Sequence, residues 1–509
     1  MKIIRDGEWL RVIFPYDADI IDKVKSVPGR EYRKLPVKSW RLPATPWHAA
    51  MLHNALKGEK FEWDDEAKAL VAANSKLGKL ASKTKGKKLP GLFPYQGAAV
   101  DFLMAADGRA LVGDDMGLGK TIEALGWMNL HQDVYPALTA SPASVVYKWQ
   151  TECNKWLDPP HSSYVIEGYS GDIPESEIYH TSYNVMVARF GQLSKIPWKL
   201  VILDECHYVK SYKAKRTRVA KALTEGAQYV IGLDGTPFWN RPIELFNTLN
   251  ILDKSLWGSV WEYGNRYCAG GNEWSMFQGA SNIDELKARL TNTMIRRLWD
   301  DVDSQLPPMT RTIMPVDIDR TEYDRVAEED YSNRLARLTA LYVAVGKAKA
   351  PIGIEWATDF LETTDRKLVI FAFHVDVVMA MVNALEKFGV TYITGEVSQK
   401  ERASRIARFQ DTSRVRVMVI NTAGSEGIDL FAAHDILFVE RLWVPALESQ
   451  AEARLHRTGQ LNAVSAYYLA ARNTIDIKFA ELIEHKREIF KSILNEKEVM
   501  TIILDELCP

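Results

Sequence analysis

The amino-acid sequence predicts an α/β fold of two parallel-sheet lobes with helical insertions, preceded by a small α+β N-terminal domain. Three observations carry that expectation. From about residue 92, short apolar runs alternate with helical segments, and "RALVGD", "PALTAS", "NVMVA", "LVILDE" and "YVIGLDGTP" look like buried parallel strands, each ending near polar or Gly residues. Residues from about 240 to 350 then become helix-rich and charged, with few strand-like runs. A second strand–helix series follows in "KLVIFAF", "VTYITG", "VRVMVINT", "DILFVE" and "VSAYYLAA". Two similar α/β units flanking a helical insertion point to a duplicated core with a cleft between, without a short solenoid-type repeat. The 509 residues suit roughly three domains of about 150 residues each.

In chain order, residues 1–74 form the N-terminal domain. "EWLRVIFPY" alternates like a strand, and "REYRKLPVKSWRLPAT" suits a basic, aromatic-bearing hairpin. "TPWHAAMLHNAL" suits a helix with Thr45 as N-cap and Pro46 at its first position. Residues 75–90, within the Lys-, Gly- and Ser-rich "SKLGKLASKTKGKKLPG", are expected to be an exposed, mobile linker. The first lobe is expected over 91–250, helical protrusions and an inter-lobe linker over 251–350, and the second lobe with a C-terminal helical tail over 351–509.

Composition excludes some classes and leaves others open. The apolar fraction of 47% and charged fraction of 26% are ordinary for a globular chain. No apolar run could span a bilayer, and "MKIIRDGEWL" lacks a signal peptide's apolar stretch, so no membrane partner is expected. Four scattered cysteines with no C-x-x-C pair argue against a zinc module and suit a reducing cytosol. A net charge of −2 does not announce a nucleic-acid binder, yet screening to about 8 Å lets a near-neutral total hide a basic groove.

The first chemical signal is "RALVGDDMGLGKTIEALGWMNL": strand, Gly-rich turn, helix. Gly117 and Gly119 permit backbone conformations that aim amide N–H groups at phosphate oxygens. The cradle would run through Asp115, Met116, Gly117, Leu118 and Gly119. Lys120 would reach the terminal phosphates of ATP, and Thr121 would hold Mg²⁺. Asp114 stands where the strict G-x-x-x-x-G-K-[ST] pattern begins with Gly. The second signal, "VILDECHYVK", ends a buried strand in adjacent carboxylates, with Asp204 placed to hold Mg²⁺ and Glu205 to deprotonate the attacking water. Either motif alone could be a Gly-rich turn or a strand ending in solvated acids; their joint occurrence in this order favours a nucleotide site.

"GDDMGLGKT" followed by "DECH" resembles the A-D-E-M-G-L-G-K-T and D-E-A-H boxes of Swi/Snf-type ATPases of helicase superfamily 2, in which Asp at the position of Asp114 is a family trait. The resemblance implies two RecA-like lobes and runs through nearly the whole chain after residue 90. "LFPYQGAAVDFL" is similar to the adenine box, with Gln96 as reader of the base. "SPASVVYKW" and "TSYNVM" sit where first-lobe DNA contacts are made, which implicates Ser141 and Tyr183. "GLDGTPFWNRPIELFNTLNIL" is similar to the G-T-P box, and "MIRRLWDDVDSQLPP" to the Arg-Arg and Leu-Pro-Pro signature. "INTAGSEGIDLFAA", with Thr422 and Ser425, and Trp443 further on correspond to second-lobe DNA contacts. "QAEARLHRTGQ" is close to Q-A-x-x-R-x-H-R-x-G-Q. Its Gln450, Arg454 and Arg457, at i, i+4 and i+7, would line one helical face toward nucleotide, and such arginine fingers are worth about 10³ to 10⁵ in rate. The pattern departs from the family at Trp443-Val444-Pro445, at Asp429 in "GSEGIDL" and at Lys210-Ser211.

The family resemblance implies translocation along double-stranded DNA without obligatory strand separation. "HYVKSYKAKRTRVAKAL" packs six Lys or Arg residues into twelve positions, among them Lys210, Lys213 and Arg216, beside the family's first-lobe DNA path. "REYRKLPVKSWRLP", with Arg33 and Trp40, is similar to the HepA-related (HARP) segment of annealing helicases, which implies recognition of branched DNA. The expectation is therefore an ATP- and Mg²⁺-dependent motor that anneals strands or migrates branches, monomeric on DNA, in the cytoplasm of a bacterial or phage-infected cell. A strand-separating helicase and an ATP-driven remover of DNA-bound protein are the alternatives; a DNA-binding module with a vestigial ATPase conflicts with the intact boxes.

Overall fold

The computed structural model describes residues 1–34, 38–131, 133–235, 242–269, 277, 279–302, 307–331, 334–422, 428–442, 445–456, 460–477 and 479–480. The chain divides into two compact units, one of Met1–Asp115 with Lys120–Val302, the other of Met116–Gly119 with Asp303–Pro509.

The first unit opens with a five-stranded sheet of β1 (Lys2–Asp6), β2 (Trp9–Ile13), β3 (Glu31–Arg33), β4 (Ser39–Pro43) and β5 (Glu62–Trp63), in the order β3-β4-β2-β1-β5. Its core gathers Ile3, Leu10, Val12 and Leu42 from alternate strand positions against α1 (Ala18–Ser26) and α2 (Pro46–Ala55). Thr45 caps α2 by accepting from the His48 N–H at 3.3 Å, with Pro46 in the first turn, as the sequence predicts.

The expected linker is structured. Residues 75–81 lie inside α3 (Asp65–Ala81), whose Leu77 is buried against Ala99, Phe102 and Leu103. The stretch beyond forms a strap on α4 (Pro94–Ala105). Gly86 N–H donates to the Pro94 carbonyl at 2.7 Å, while Lys87 N–H and Lys83 Nζ reach Asp101 at 3.0 and 3.2 Å. A Cβ on Gly86 would lie 2.1 Å from Ala98 N, and one on Gly97 would lie 2.1 Å from the Lys87 carbonyl oxygen. Gly86, one of the glycines that suggested mobility, and Gly97 opposite it are there for close backbone approach. A second joint is Arg289, whose guanidinium lies 4.2 Å from the Trp47 ring centroid and 4.8 Å from that of Trp257. The N-terminal sheet thus belongs to the same compact unit as the first large sheet.

That sheet holds β6 (Arg109–Val112), β7 (Ala137–Ser141), β8 (Ser163–Val165), β9 (Ile178–Ser182), β10 (Leu200–Asp204), β11 (Tyr229–Leu233) and β12 (Met294–Ile295) in the order β12-β6-β11-β10-β7-β9-β8, every pairing parallel. Apolar clusters cover both faces, which is why its strands are apolar at nearly every position. Register matters here: Leu233 pairs with Val112 on one side and with Asp204 on the other. Three loops therefore leave adjacent strands at the same C-terminal edge, where open α/β sheets place their sites.

The second unit holds a six-stranded parallel sheet in the order β13-β18-β17-β14-β16-β15: β13 (Met309–Val316), β14 (Leu368–Phe371), β15 (Val390–Ile393), β16 (Val417–Ile420), β17 (Asp435–Phe438) and β18 (Val464–Ala471). β13 lies well before residue 351, where the sequence marks the second lobe, and pairs along its whole length with β18. The helix Arg334–Thr363 packs Ala350, Ala357 and Phe360 into the same core. Among the described residues, no helix is long and apolar enough to cross a membrane.

Gly97→Ala tests the strap. In an isolated helix Ala is favoured over Gly by about 1 kcal/mol. Here the clash with the Lys87 carbonyl is expected to win, lowering Tm and speeding tryptic cleavage between Lys83 and Lys88; a raised Tm would show the strap unseated.

Candidate active site

β6 delivers the chain into the Gly-rich loop, where Gly117 and Gly119 both adopt φ of +86°, a region open to glycine at no steric cost. α5 (Lys120–Met128) follows and buries Ala124, Leu125 and Trp127 under the sheet. Lys120 Nζ donates to the carbonyls of Asp114 and Asp115 at 2.9 and 3.3 Å, folding the ammonium back over its own loop.

Asp114 is fully buried and meets Arg297, itself 1% exposed. The Arg297 backbone N–H donates to Asp114 Oδ1 at 2.9 Å, and its guanidinium donates to Asp114 Oδ2, to Glu123 Oε1 at 2.9 Å and to the Tyr95 carbonyl. Burial first, then the Asp114 charge, push the Glu123 carboxyl well above its ordinary value against the pull of Arg297. Asp115 is held in parallel: Trp299 N–H donates to its Oδ2 at 3.2 Å, and an Arg296 guanidinium nitrogen lies 3.6 Å from its Oδ1. Two consecutive loop aspartates thus face two consecutive arginines that follow β12.

At the end of β10, Asp204 Oδ2 accepts from Trp149 Nε1–H at 2.8 Å and Oδ1 from the Glu205 N–H at 3.0 Å. Glu205 sits at φ 49° and ψ 55°, a left-handed conformation that costs a non-glycine residue about 1–3 kcal/mol and marks functional turns. Its buried Oε2 accepts no hydrogen bond and lies 3.5 Å from His207 Nδ1. Burial, followed by the charges of Asp234 and Asp204, pushes the Glu205 carboxyl up to about 7. Asp234, just past β11, accepts from the His207 N–H at 2.8 Å and lies 3.3 Å from His207 Nδ1. Burial, the largest single effect, pulls the His207 pKa down, but the hydrogen bond to Asp234 with the Asp234 and Glu205 charges together outweigh it and hold His207 above its ordinary value. An oriented acid beside an ionisable carboxyl with an open lone pair suits Mg²⁺ and a general base, and Lys120 and Thr121 open the helix that faces them.

Other expected residues divide. Gln96 is buried, and its Oε1 accepts from the Phe93 N–H at 3.0 Å, closing the start of α4. Ser141 and Tyr183 do not present themselves to DNA. Ser141 ends an interior strand and is fully buried, its hydroxyl donating to the Pro142 carbonyl; Tyr183 is buried, donates to the Asp204 carbonyl at 2.8 Å and stacks on Tyr208. Tyr183 therefore supports the strand that ends in Asp204. Lys213 is exposed, Arg216 lies over the Tyr208 ring, and Lys210 pairs with Glu244 at 3.3 Å. Arg33 is exposed and pairs with Glu31 at 3.0 Å, and the Trp40 ring lies 5.2 Å from that of Tyr32.

In the second unit, Gln450 lies in the helix Pro445–Glu452, but that helix stops before Arg454. Gln450 and Arg454 do not share one continuous helix, because Arg454 N–H bonds back to Ala451 and Leu455 N–H to Glu452, turning the chain in a tighter, i to i−3 pattern. Arg311 clamps Glu452 with bonds of 2.7 and 2.8 Å, and His456 Nε2 lies 2.8 Å from the Pro307 carbonyl oxygen, so β13 and the residues before it brace this segment. Thr422 follows β16 and is partly exposed. Ser425, Trp443 and Arg457 lie outside the described residues.

Sequence reasoning assigned no site role to Trp149, His207, Asp234, Glu123, Arg296 or Arg297. Asp234 had a signal, an acid ending the apolar run "YVIGLD" as Asp204 ends "LVILD". Trp149 had none, since nothing local to "SPASVVYKW" announces a partner 55 residues away.

A carboxyl must be ionised to take a proton, so kcat/KM for ATP is expected to fall as pH drops through about 7 and to level off above it, measured between about pH 6 and about pH 9. Glu205→Gln should abolish turnover and retain nucleotide binding. The sign for stability is opposite: with the folded-state pKa raised, this group's contribution is full below its ordinary value of 4.5 and is lost as pH rises through about 7.

Residues 95–340 match the SNF2-related domain and residues 353–459 the helicase conserved C-terminal domain. The DNA annealing helicase and endonuclease ZRANB3 of Bos taurus is 31% identical over 439 residues, which cover 80% of this chain and 41% of that protein. The Caenorhabditis elegans homolog of SWI/SNF-related matrix-associated actin-dependent regulator of chromatin subfamily A-like protein 1 is 30% identical over 521 residues, covering 96% of this chain and 75% of that protein. The Bos taurus protein of the same name is 30% identical and is covered over 53% of its length. The Sulfolobus solfataricus SWI2/SNF2 ATPase core in complex with dsDNA aligns over 83% of this chain and 96% of that one, at 25% identity and a TM-score of 0.41. The expected bacterial or phage cytoplasm is corrected by these relatives, since those matched by sequence are animal proteins, two of them named as regulators of chromatin. With the worm relative matched across three quarters of its length, the chain belongs to the SWI/SNF-related, SNF2-type family of helicase-like, DNA-dependent ATPases.

Proposed function

We propose that this chain is an ATP-driven translocase on double-stranded DNA that remodels branched DNA by annealing strands, regressing forks or migrating branches, and that it acts as a monomer. The observation that carries the proposal is that Gln96, Lys120, Asp204 and Glu205 belong to the same compact unit as a sheet whose edge strand β3, paired to β4, offers Tyr32, 46% exposed, beside Trp40 and Arg33. An aromatic face flanked by cations suits unpaired bases at a junction. The name of the cow relative, an annealing helicase, agrees with this, and the worm relative's match extends over 96% of the chain.

ATP with Mg²⁺ supplies the phosphoryl group and its charge neutralisation when bound. Lys120 would hold the terminal phosphates, Thr121 and Asp204 the ion, and Gln96 the base. Glu205 would orient the attacking water and take its proton onto Oε2. Arg454, with Arg457, would stabilise charge at the transferred group. The exposed cations Lys213, Lys215 and Arg218 would follow duplex phosphates without sequence preference.

ATPase stimulation compared across single-stranded, duplex, forked and four-way DNA tests the proposal. Forked and four-way DNA should stimulate most, and single strands least. Equal stimulation by duplex and junction would remove the branched-DNA assignment and leave the motor. Tyr32→Ala is expected to weaken fork binding by about 1–3 kcal/mol while duplex-stimulated turnover persists. Point substitution is the proper probe, because removing residues 1–88 would also uncover the apolar surface beneath Leu77. In the basic run, Lys213→Ala should lower the slope of log K against log salt by about 0.9 if that residue meets a phosphate, and leave it unchanged otherwise.

A further inference from the structure

Arg297 touches Tyr95, Asp114 and Glu123, all remote from it in sequence and gathered at the nucleotide loop. Its guanidinium donates to the Tyr95 carbonyl, one residue before Gln96 in the adenine box. It donates to Asp114 at the mouth of the phosphate loop and, at 2.9 Å, to Glu123 on the helix that leaves the loop. Its own backbone carbonyl accepts from the Asp115 N–H at 3.0 Å. The residue is delivered by β12, whose Met294 and Ile295 pair with Leu111 and Val112 of β6, so that Arg297 stands level with Asp114 on the neighbouring strand's continuation. Its guanidinium has no solvent to turn to, and the planar fork is the side chain that can satisfy acceptors in three directions at once. Lys has the charge without the fork.

We infer that Arg297 is the positioning residue of the ATP site, and that Asp114 replaces the loop's first glycine because its carboxylate is the anchor through which Arg297 sets the loop against the adenine wall. Arg297 reaches no reacting atom by its own contacts, so its influence falls on where Gln96, the loop amides and Lys120 stand. Glycine at 114 would restore the strict phosphate-loop pattern and delete that anchor. The inference deepens the assignment of residues 113–121 as the nucleotide loop and rests on it.

The test compares Arg297→Lys, Asp114→Gly and the unaltered chain by Tm, by affinity for a fluorescent ATP analogue and by DNA-stimulated ATPase at varied ATP. Both variants should raise KM for ATP tenfold or more and weaken the analogue in step, with kcat at saturating ATP changed less than threefold. A merely structural role would lower Tm and the active fraction, seen as reduced kcat at unchanged KM, and would overturn the inference. Asp114→Gly binding ATP as well as or better than the unaltered chain would also overturn it. If either variant fails to fold, the neutralised triple substitution Arg297→Met, Asp114→Asn and Glu123→Gln, which leaves no buried charge unpaired, should fold and show the same rise in KM; normal KM there would again overturn the inference. An unaltered chain that neither binds the analogue nor hydrolyses ATP would instead defeat the nucleotide-loop assignment itself.

Discussion

A guanidinium shut away from water must find its acceptors within the fold, and Arg297 finds them on three different stretches of chain. That requirement organises the first unit. Burying two carboxylates beside one cation is tolerable only if all three are held together, since removing one partner from a buried pair typically costs about 3–5 kcal/mol. The short strand β12 exists to bring the arginine there: only two of its residues pair, yet they fix the register that puts Arg297 beside Asp114. The helical segment between β11 and β12 is therefore no passive insertion. It ends by returning the chain to the sheet edge next to β6 and completing the loop's surroundings.

The same sheet edge explains the Asp204–Glu205 pair. Asp204, Asp234 and the Gly-rich loop leave three adjacent strands at one level, and the left-handed Glu205 turns its carboxyl among them. Its acidity follows from that crowding: three acids share a pocket that water enters poorly, with His207 and Lys120 as the opposing charges. Trp149 and Tyr183 contribute by orienting Asp204 and the strand that carries it, so Tyr183, expected to meet DNA, is instead buried against that strand.

Much of this was legible in the sequence. Parallel strands buried on both faces appear as unbroken apolar runs, and the phosphate loop and acidic box are local patterns whose chemistry depends on spacing alone. Thr45 and Pro46 announced the start of α2 for the same reason. What escaped were contacts between residues far apart in the chain. "MIRR" looks like a strand end with surplus charge until β12 is seen beside β6. "SKTKGKKLPG" has the composition of a mobile tether, and only the backbone of α4 shows why Gly86 and Gly97 are glycine. The i, i+4, i+7 spacing of Gln450, Arg454 and Arg457 suggested one continuous helix, but periodicity does not reveal where a helix tightens and ends, and here it ends at Glu452.

The strap across α4 also bears on how this chain could have changed over time. Two backbones pressed together at Gly86 and Gly97 leave room for no side chain on either, so each glycine constrains the other and neither position can drift alone. The N-terminal sheet is consequently a poor candidate for exchange as a cassette: a recombination breakpoint anywhere from α3 to the start of α4 would part surfaces that match only each other. Variation is accommodated more readily at the edge of that sheet, where, among the described residues, β3 pairs with β4 alone.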